Sequence, residues 1–163
     1  GTLLFSALTT DYLQKYSFLQ QSMTVGKPTG IILNAKKAFA INYKKVILTG
    51  DSAGANLSIT MTLMAIARKF RVPDCLMPLY PTTIASKEVF WPSMLNSFDD
   101  IILSYTMLNQ MMQSYTPTSP QHRFLGSRCP YMSPGLCASD EYLRQFPPTR
   151  LYLSGVDPLK DDG

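Results

Sequence analysis

The sequence predicts an α/β fold, a mostly parallel, doubly wound sheet with flanking helices, incomplete at both ends. Three observations carry this. An apolar strand, Val46–Thr49, runs through Gly50-Asp51-Ser52-Ala53-Gly54 into a long helix. A second apolar run, Cys75–Tyr80, follows that helix, and a third, Arg150–Gly155, lies near the end of the chain. Strands separated by helices pair in parallel through right-handed crossovers.

The elements follow in order. Residues 11–22 place Tyr12, Leu13, Tyr16, Phe18 and Leu19 at helical spacing behind a Thr10 or Asp11 cap. Gly26 to Gly30 breaks that helix, and a second runs from Ile31 to about Ala40. After the strand Val46–Thr49, the stretch Ala53–Phe70 is apolar almost all round, as a helix buried against a parallel sheet must be. Arg71 to Asp74 is its exit turn, and Pro81 stops the strand Cys75–Tyr80. The texture then changes, and 82–130 reads as a helical insert. Ser97 to Asp100 has the spacing of a capping box, which predicts a Met-rich helix from Ile101 to Tyr115. Thr116 to Pro120 is a loop. Glu141–Phe146 is a brief helix halted by Pro147-Pro148, and Arg150–Gly155 is the last strand. The whole of 1–163 reads as a single partial domain.

The chemistry concentrates at the strand-to-helix turn. A Gly-x-Ser-x-Gly pentapeptide is a weak signal alone, but between a strand and a helix it has the context of a nucleophile elbow. A serine on a sharp, strained turn needs neighbours without a Cβ, which gives Gly50 and Gly54 their task. Ser52 is the candidate nucleophile, and the backbone N–H of Ala53, at the helix start, is the candidate oxyanion donor. Asp157 stands just past the end of the last strand, where chemistry gathers in such sheets, and is the candidate acid that orients a histidine. Asp161 and Asp162 are its rivals, although their expected task is to favour a helix N-terminus. The single histidine, His122, precedes Asp157 in a Pro-rich stretch and reads as a surface residue, because the order in this sheet type is serine, acid, histidine. The sequon Asn56-Leu57-Ser58 falls inside the elbow helix, a poor place for a glycan. Met94, Met107, Met111 and Met112 suit an apolar ligand surface by their softness, but core packing is the expected role.

Bulk properties bound the rest. At 163 residues, 45% hydrophobic and 16% charged, the chain can bury a real core. Its net charge of +4 is spread over small clusters such as Lys44-Lys45 and Arg68-Lys69-Arg71, which read as solvated faces and argue against a nucleic-acid partner. Cys75, Cys129 and Cys137 are an odd count without close pairs, which favours a reducing, cytoplasmic setting over a disulfide framework. No metal site is expected around one histidine, and no stretch reaches the roughly 20 apolar residues of a transmembrane segment.

The residues from about 43 to 163 resemble the hormone-sensitive lipase family of α/β-hydrolases. The resemblance rests on Gly50-Asp51-Ser52-Ala53-Gly54-Ala55-Asn56-Leu57, then Arg71-Val72-Pro73-Asp74 with Tyr80-Pro81. Downstream it continues in Tyr131-Met132-Ser133-Pro134, Phe146-Pro147-Pro148-Thr149 and the run Gly155–Gly163. It implies a carboxylic-ester hydrolase with a Ser–Asp–His triad and an acyl-enzyme, Ser52 as nucleophile and Asp157 as acid, and no cofactor. It also implies an acyl-ester or lipid substrate and association with a lipid surface. The family's His-Gly-Gly oxyanion motif is absent from residues 1–51, and its histidine is expected beyond Gly163. The chain therefore reads as a piece of a longer protein, inactive and poorly folding alone. The alternative is an inactive or ligand-binding homologue, like the plant gibberellin receptors that keep an elbow without the histidine.

Overall fold

The computed structural model describes residues 2–6, 44–86, 89–95, 97–115 and 128–163. The expected helices at 11–22 and 31–40, the loop at 116–120 and His122 lie outside the described residues. Three strands form a parallel sheet in the order β1 (Thr2–Ser6), β2 (Lys45–Asp51), β3 (Cys75–Leu79). β1 aligns Thr2 with Lys45 and Ser6 with Thr49, and β3 aligns Cys75 with Ile47 and Leu79 with Asp51. The sequence reading does not anticipate β1, whose five residues give too short a run to separate from coil.

The expected last strand, Arg150–Gly155, is found as a broken one. Leu76 N–H donates to Pro148 O at 3.1 Å and Leu76 O accepts from Arg150 N–H at 2.9 Å. Pro78 O accepts from Tyr152 N–H at 3.1 Å, and Tyr80 N–H donates to Tyr152 O at 2.6 Å. A continuous parallel ladder also needs a bond from residue 78 to the carbonyl of residue 150. Pro78 has no N–H to give. The 148–152 segment therefore joins β3 through two isolated parallel bridges, at Thr149 and Tyr152.

Helix α1 (Ala53–Ala67) packs on β2 and β3, with every residue from Gly54 to Ile66 buried. Leu48, Ile59, Met61, Leu63 and Leu76 form the core there, with Tyr131, Ala138 and Phe146 against its edge. A helix buried on all sides must satisfy its polar side chains internally. Ser58 Oγ donates to Ala55 O at 2.8 Å, Thr62 Oγ1 to Ser58 O at 2.9 Å, and Thr60 Oγ1 to Tyr131 O at 2.6 Å.

α1 ends three residues before the expected Phe70. Phe70 N–H reaches Ala65 O at 2.8 Å and Lys69 N–H reaches Ile66 O at 3.0 Å, with Lys69 at φ 54°. That is a Schellman stop, with lysine where glycine is usual and so without its sequence signal.

Short helices follow at α2 (Pro92–Leu95), α4 (Pro134–Cys137) and α5 (Asp140–Leu143), with the longer α3 (Tyr105–Tyr115) between the first two. The expected capping box does not start α3. Asp100 Oδ1 instead accepts from Ile102 N–H at 2.7 Å and Leu103 N–H at 3.0 Å, closing a turn. Ser104, whose hydroxyl accepts from Met107 N–H at 3.3 Å, starts the helix four residues later than expected. The aspartate competes for the backbone locally, as short polar side chains do. α5 stops before Pro147-Pro148, close to the expected end.

Candidate active site

Ser52 stands between β2 and α1 with φ 50° and ψ −117°, left-handed backbone that an L-residue rarely adopts. Such strain costs on the order of 1–3 kcal/mol and persists only where the surroundings impose it. Here they do. Ser52 N–H donates to Leu79 O at 3.0 Å, fastening the turn to the end of β3. Ser52 O accepts from Ala55 N–H at 3.0 Å and Asn56 N–H at 3.1 Å, so it is already committed to the helix. Its side chain makes no capping bond to that helix.

Gly50 is required by close approach: a Cβ there would overlap the carbonyl of Gly54 and lie 2.9 Å from Ala55 N. Gly54, one of the buried residues of α1, is the other party to that contact.

Ser52 and Ala53 open onto a cavity of about 420 Å³. Asn56, Thr82, Ala85 and Leu159 line its floor side, and Leu103, Met107, Met111, Met112 and Tyr115 line the side formed by α3 and the turn before it. Three of the four methionines expected in the core, Met107, Met111 and Met112, thus face this cavity, and Met94 does not. Only Leu108 of α3 is buried, so the rest of the helix is half-buried or exposed. Burial pushes the phenol of Tyr115 well above the usual tyrosine range, with Cys129 adding to the effect.

Asp157 is half-buried beyond the end of the 148–152 segment. Its Oδ1 accepts from Leu159 N–H at 2.8 Å and its carbonyl from Lys160 N–H at 3.0 Å, a self-closing turn. Ser52 and Asp157 follow parallel segments on either side of β3 and so emerge at the same sheet edge. Among the described residues no hydrogen bond joins them.

The two rivals of Asp157 have separate tasks. Asp161 Oδ2 accepts from Ser93 N–H at 2.8 Å, at the start of α2, so it does serve a helix N-terminus. Asp162 does not, which corrects the expectation. It is buried, and its Oδ2 accepts from Thr83 N–H at 2.8 Å and Ile84 N–H at 3.3 Å, while Thr83 Oγ1 approaches its Oδ1 at 3.0 Å. Burial pushes its carboxyl up to about 6 against the pull of those three donors, and the charge of Asp157 adds to the rise.

The sequence reading gives Asn56 no task of its own, naming it in the sequon and in the run Gly50–Leu57 alone. Its buried Nδ2 donates to Thr82 O at 2.6 Å and Met132 O at 3.1 Å, which leaves nothing accessible for a glycan. Its position one turn after Ser52 was the available signal.

Residues 5–163 match the family model described as alpha/beta hydrolase fold. An esterase of Gibberella moniliformis is 28% identical over 152 residues, 92% of this chain and 42% of that protein. The hormone-sensitive lipase of Mus musculus is 38% identical over 81 residues, half of this chain and 10% of that protein. The crystal structure of carboxyl esterase 2 from Tuber melanosporum superposes with a TM-score of 0.77 at 24% identity, over 91% of this chain and 46% of that one, a likeness of fold. The chain spans less than half the length of each of these relatives.

Proposed function

The chain belongs to the alpha/beta hydrolase family of the hormone-sensitive lipase type, and from that premise we propose that the complete protein is a serine carboxylic-ester hydrolase. The observation that carries the reading is Ser52, held in left-handed backbone between strand and helix with its hydroxyl uncommitted to a cap and a cavity before it. Its Oγ attacks the ester carbonyl while a histidine takes its proton. The tetrahedral oxyanion meets the N–H of Ala53, which makes no hydrogen bond to any described residue and stands at the positive end of α1. Return of the proton to the departing alcohol leaves an acyl-serine, which water hydrolyses by the reverse sequence. Asp157 holds the histidine's tautomer and stabilises the imidazolium. That histidine follows Asp157 in the complete protein.

The apolar wall of Leu103, Met107, Met111 and Met112 suits the acyl chain of a lipid or a small carboxylic ester. No cofactor is needed for this chemistry. Ile101 and Ile102, 99% and 85% exposed beside that wall, support association with a lipid surface. Among the described residues no helix is long and apolar enough to cross a membrane.

The test is hydrolysis of p-nitrophenyl butyrate by the complete protein, with fluorophosphonate labelling of the serine. Ser52→Ala is expected to abolish labelling and lower kcat by roughly 10⁴-fold or more. Unchanged turnover in that variant overturns the reading, and tight ester binding without turnover in the parent protein moves it to a ligand-binding homologue.

A further inference from the structure

We propose that Asp162 is a positioning residue for the candidate acid: it fastens the turn bearing Asp157 to a platform, residues 82–85, that is itself bonded to the elbow helix. The proposal rests on the reading of Ser52 and Asp157 as nucleophile and acid.

Ser52 and Asp157 lie on different segments with β3 between them, so some structure must fix their separation. A closed path of hydrogen bonds does so. Asn56, one turn along α1 from Ser52, bonds Thr82 O at 2.6 Å. The platform is pinned from a second side, where Gly135 N–H donates to Thr83 O at 3.0 Å and Ala85 N–H donates to Ser133 Oγ at 3.0 Å. The approach is tight: a Cβ on Gly135 would lie 2.5 Å from Thr83 Oγ1.

Onto this platform Asp162 places both carboxylate oxygens, and its carbonyl lies 2.7 Å from Thr83 Oγ1. Asp162 N–H donates to Leu159 O at 3.1 Å, and Leu159 N–H donates to the Asp157 carboxylate. The path from Ser52 to Asp157 thus runs through Asn56, residues 82–84, Asp162 and Leu159, all of them buried or half-buried. Thr82 and Leu159, both on this path, line the cavity. Asp162 does not itself line the cavity and meets it only through Leu159, so its effect on turnover is expected to pass through the turn that bears Asp157.

The experiment is a double-substitution cycle in the complete protein, with kcat and KM read on p-nitrophenyl butyrate and folding read by thermal melting. Asp162→Ala is expected to lower kcat about 10- to 100-fold with KM within about 3-fold, the scale of an ångström-level misplacement. Added to Asp157→Asn it should cost less than about 3-fold, since the group it positions has already lost its charge. Asp162→Asn, which keeps an oxygen for the amides of Thr83 and Ile84, should restore most of the loss. Should Asp162→Ala melt below assay temperature, Asp162→Ser, too short to span both amides, is carried through the same cycle. A folded Ala or Ser variant with parental kcat overturns the proposal. So does an equal fold-loss in the presence and absence of the Asp157 carboxylate. Full turnover by Asp157→Asn alone removes the acid reading itself and the positioning role with it, an outcome distinct from failure of the brace.

Discussion

Gly50 and Asp162 show how single residues govern this site. At Gly50 the constraint is steric, because no rotamer relieves a Cβ that meets backbone. Gly50→Ala should therefore separate β2 from α1 and destabilise the complete protein by about 3 kcal/mol or more, read as a lowered thermal midpoint with loss of esterase activity. At Asp162 the constraint is electrostatic. Its carboxyl binds a proton more tightly when folded, at about 6, than its ordinary 3.8. The stability it contributes is thus intact below about pH 3.8 and lost as the pH rises through 6, on the order of 2–3 kcal/mol. Asp162→Asn should flatten that part of the stability–pH curve in urea titrations between pH 4 and 7. A parallel curve for the two proteins would place the titration elsewhere.

Among the elements, α1 and α3 divide the work. α1 is buried all round and holds Ser52 at its start, so the elbow inherits the rigidity of the core. Its far end is less well made, with Lys69 in a conformation that favours glycine. Lys69→Gly should raise stability by about 0.5–1 kcal/mol without altering turnover, checked by chemical denaturation. α3 is shallow by comparison, and its methionines line the cavity that α1 opens onto. A bulky Met111→Trp should fill the apolar end and lower kcat/KM for long-chain esters at least about 10-fold more than for butyrate. Equal losses on both chain lengths would mean the acyl group does not lie against α3.

At the scale of the molecule, the described sheet has three strands and a fourth broken by Pro78, and Ser52 and Asp157 emerge from it on either side of β3. This arrangement holds the proposed nucleophile, one candidate oxyanion donor and the proposed acid. It supplies no described histidine. Residues 1–163 expressed alone are accordingly expected to give no triad-level hydrolysis of p-nitrophenyl butyrate, and full-rate turnover abolished by Ser52→Ala would overturn that.

Local chemistry made much of this legible in the chain itself. β2, the elbow, α1 and β3 follow from apolar runs punctuated by Gly50, Gly54, Pro73 and Pro81. The places of Ser52 and Asp157 after strand segments are legible too, and those places are what nominate them as candidates. These are short-range properties, set by backbone sterics and by the period of the apolar residues, and they survive without knowledge of neighbours. What only the tertiary structure decided is long-range. Asp162 looked like a helix-favouring charge until burial against Thr83 and Ile84 gave it a brace, and Asn56 looked like a sequon until Thr82 and Met132 claimed its amide. Of the α3 methionines expected in the core, Met112 does pack against buried Ala85 and Met132 while lining the cavity, whereas Met107 and Met111 are exposed at its wall. For Asn56 and Asp162 the side chain's role depends on partners from 26 to 79 residues away, a pairing that no local pattern encodes.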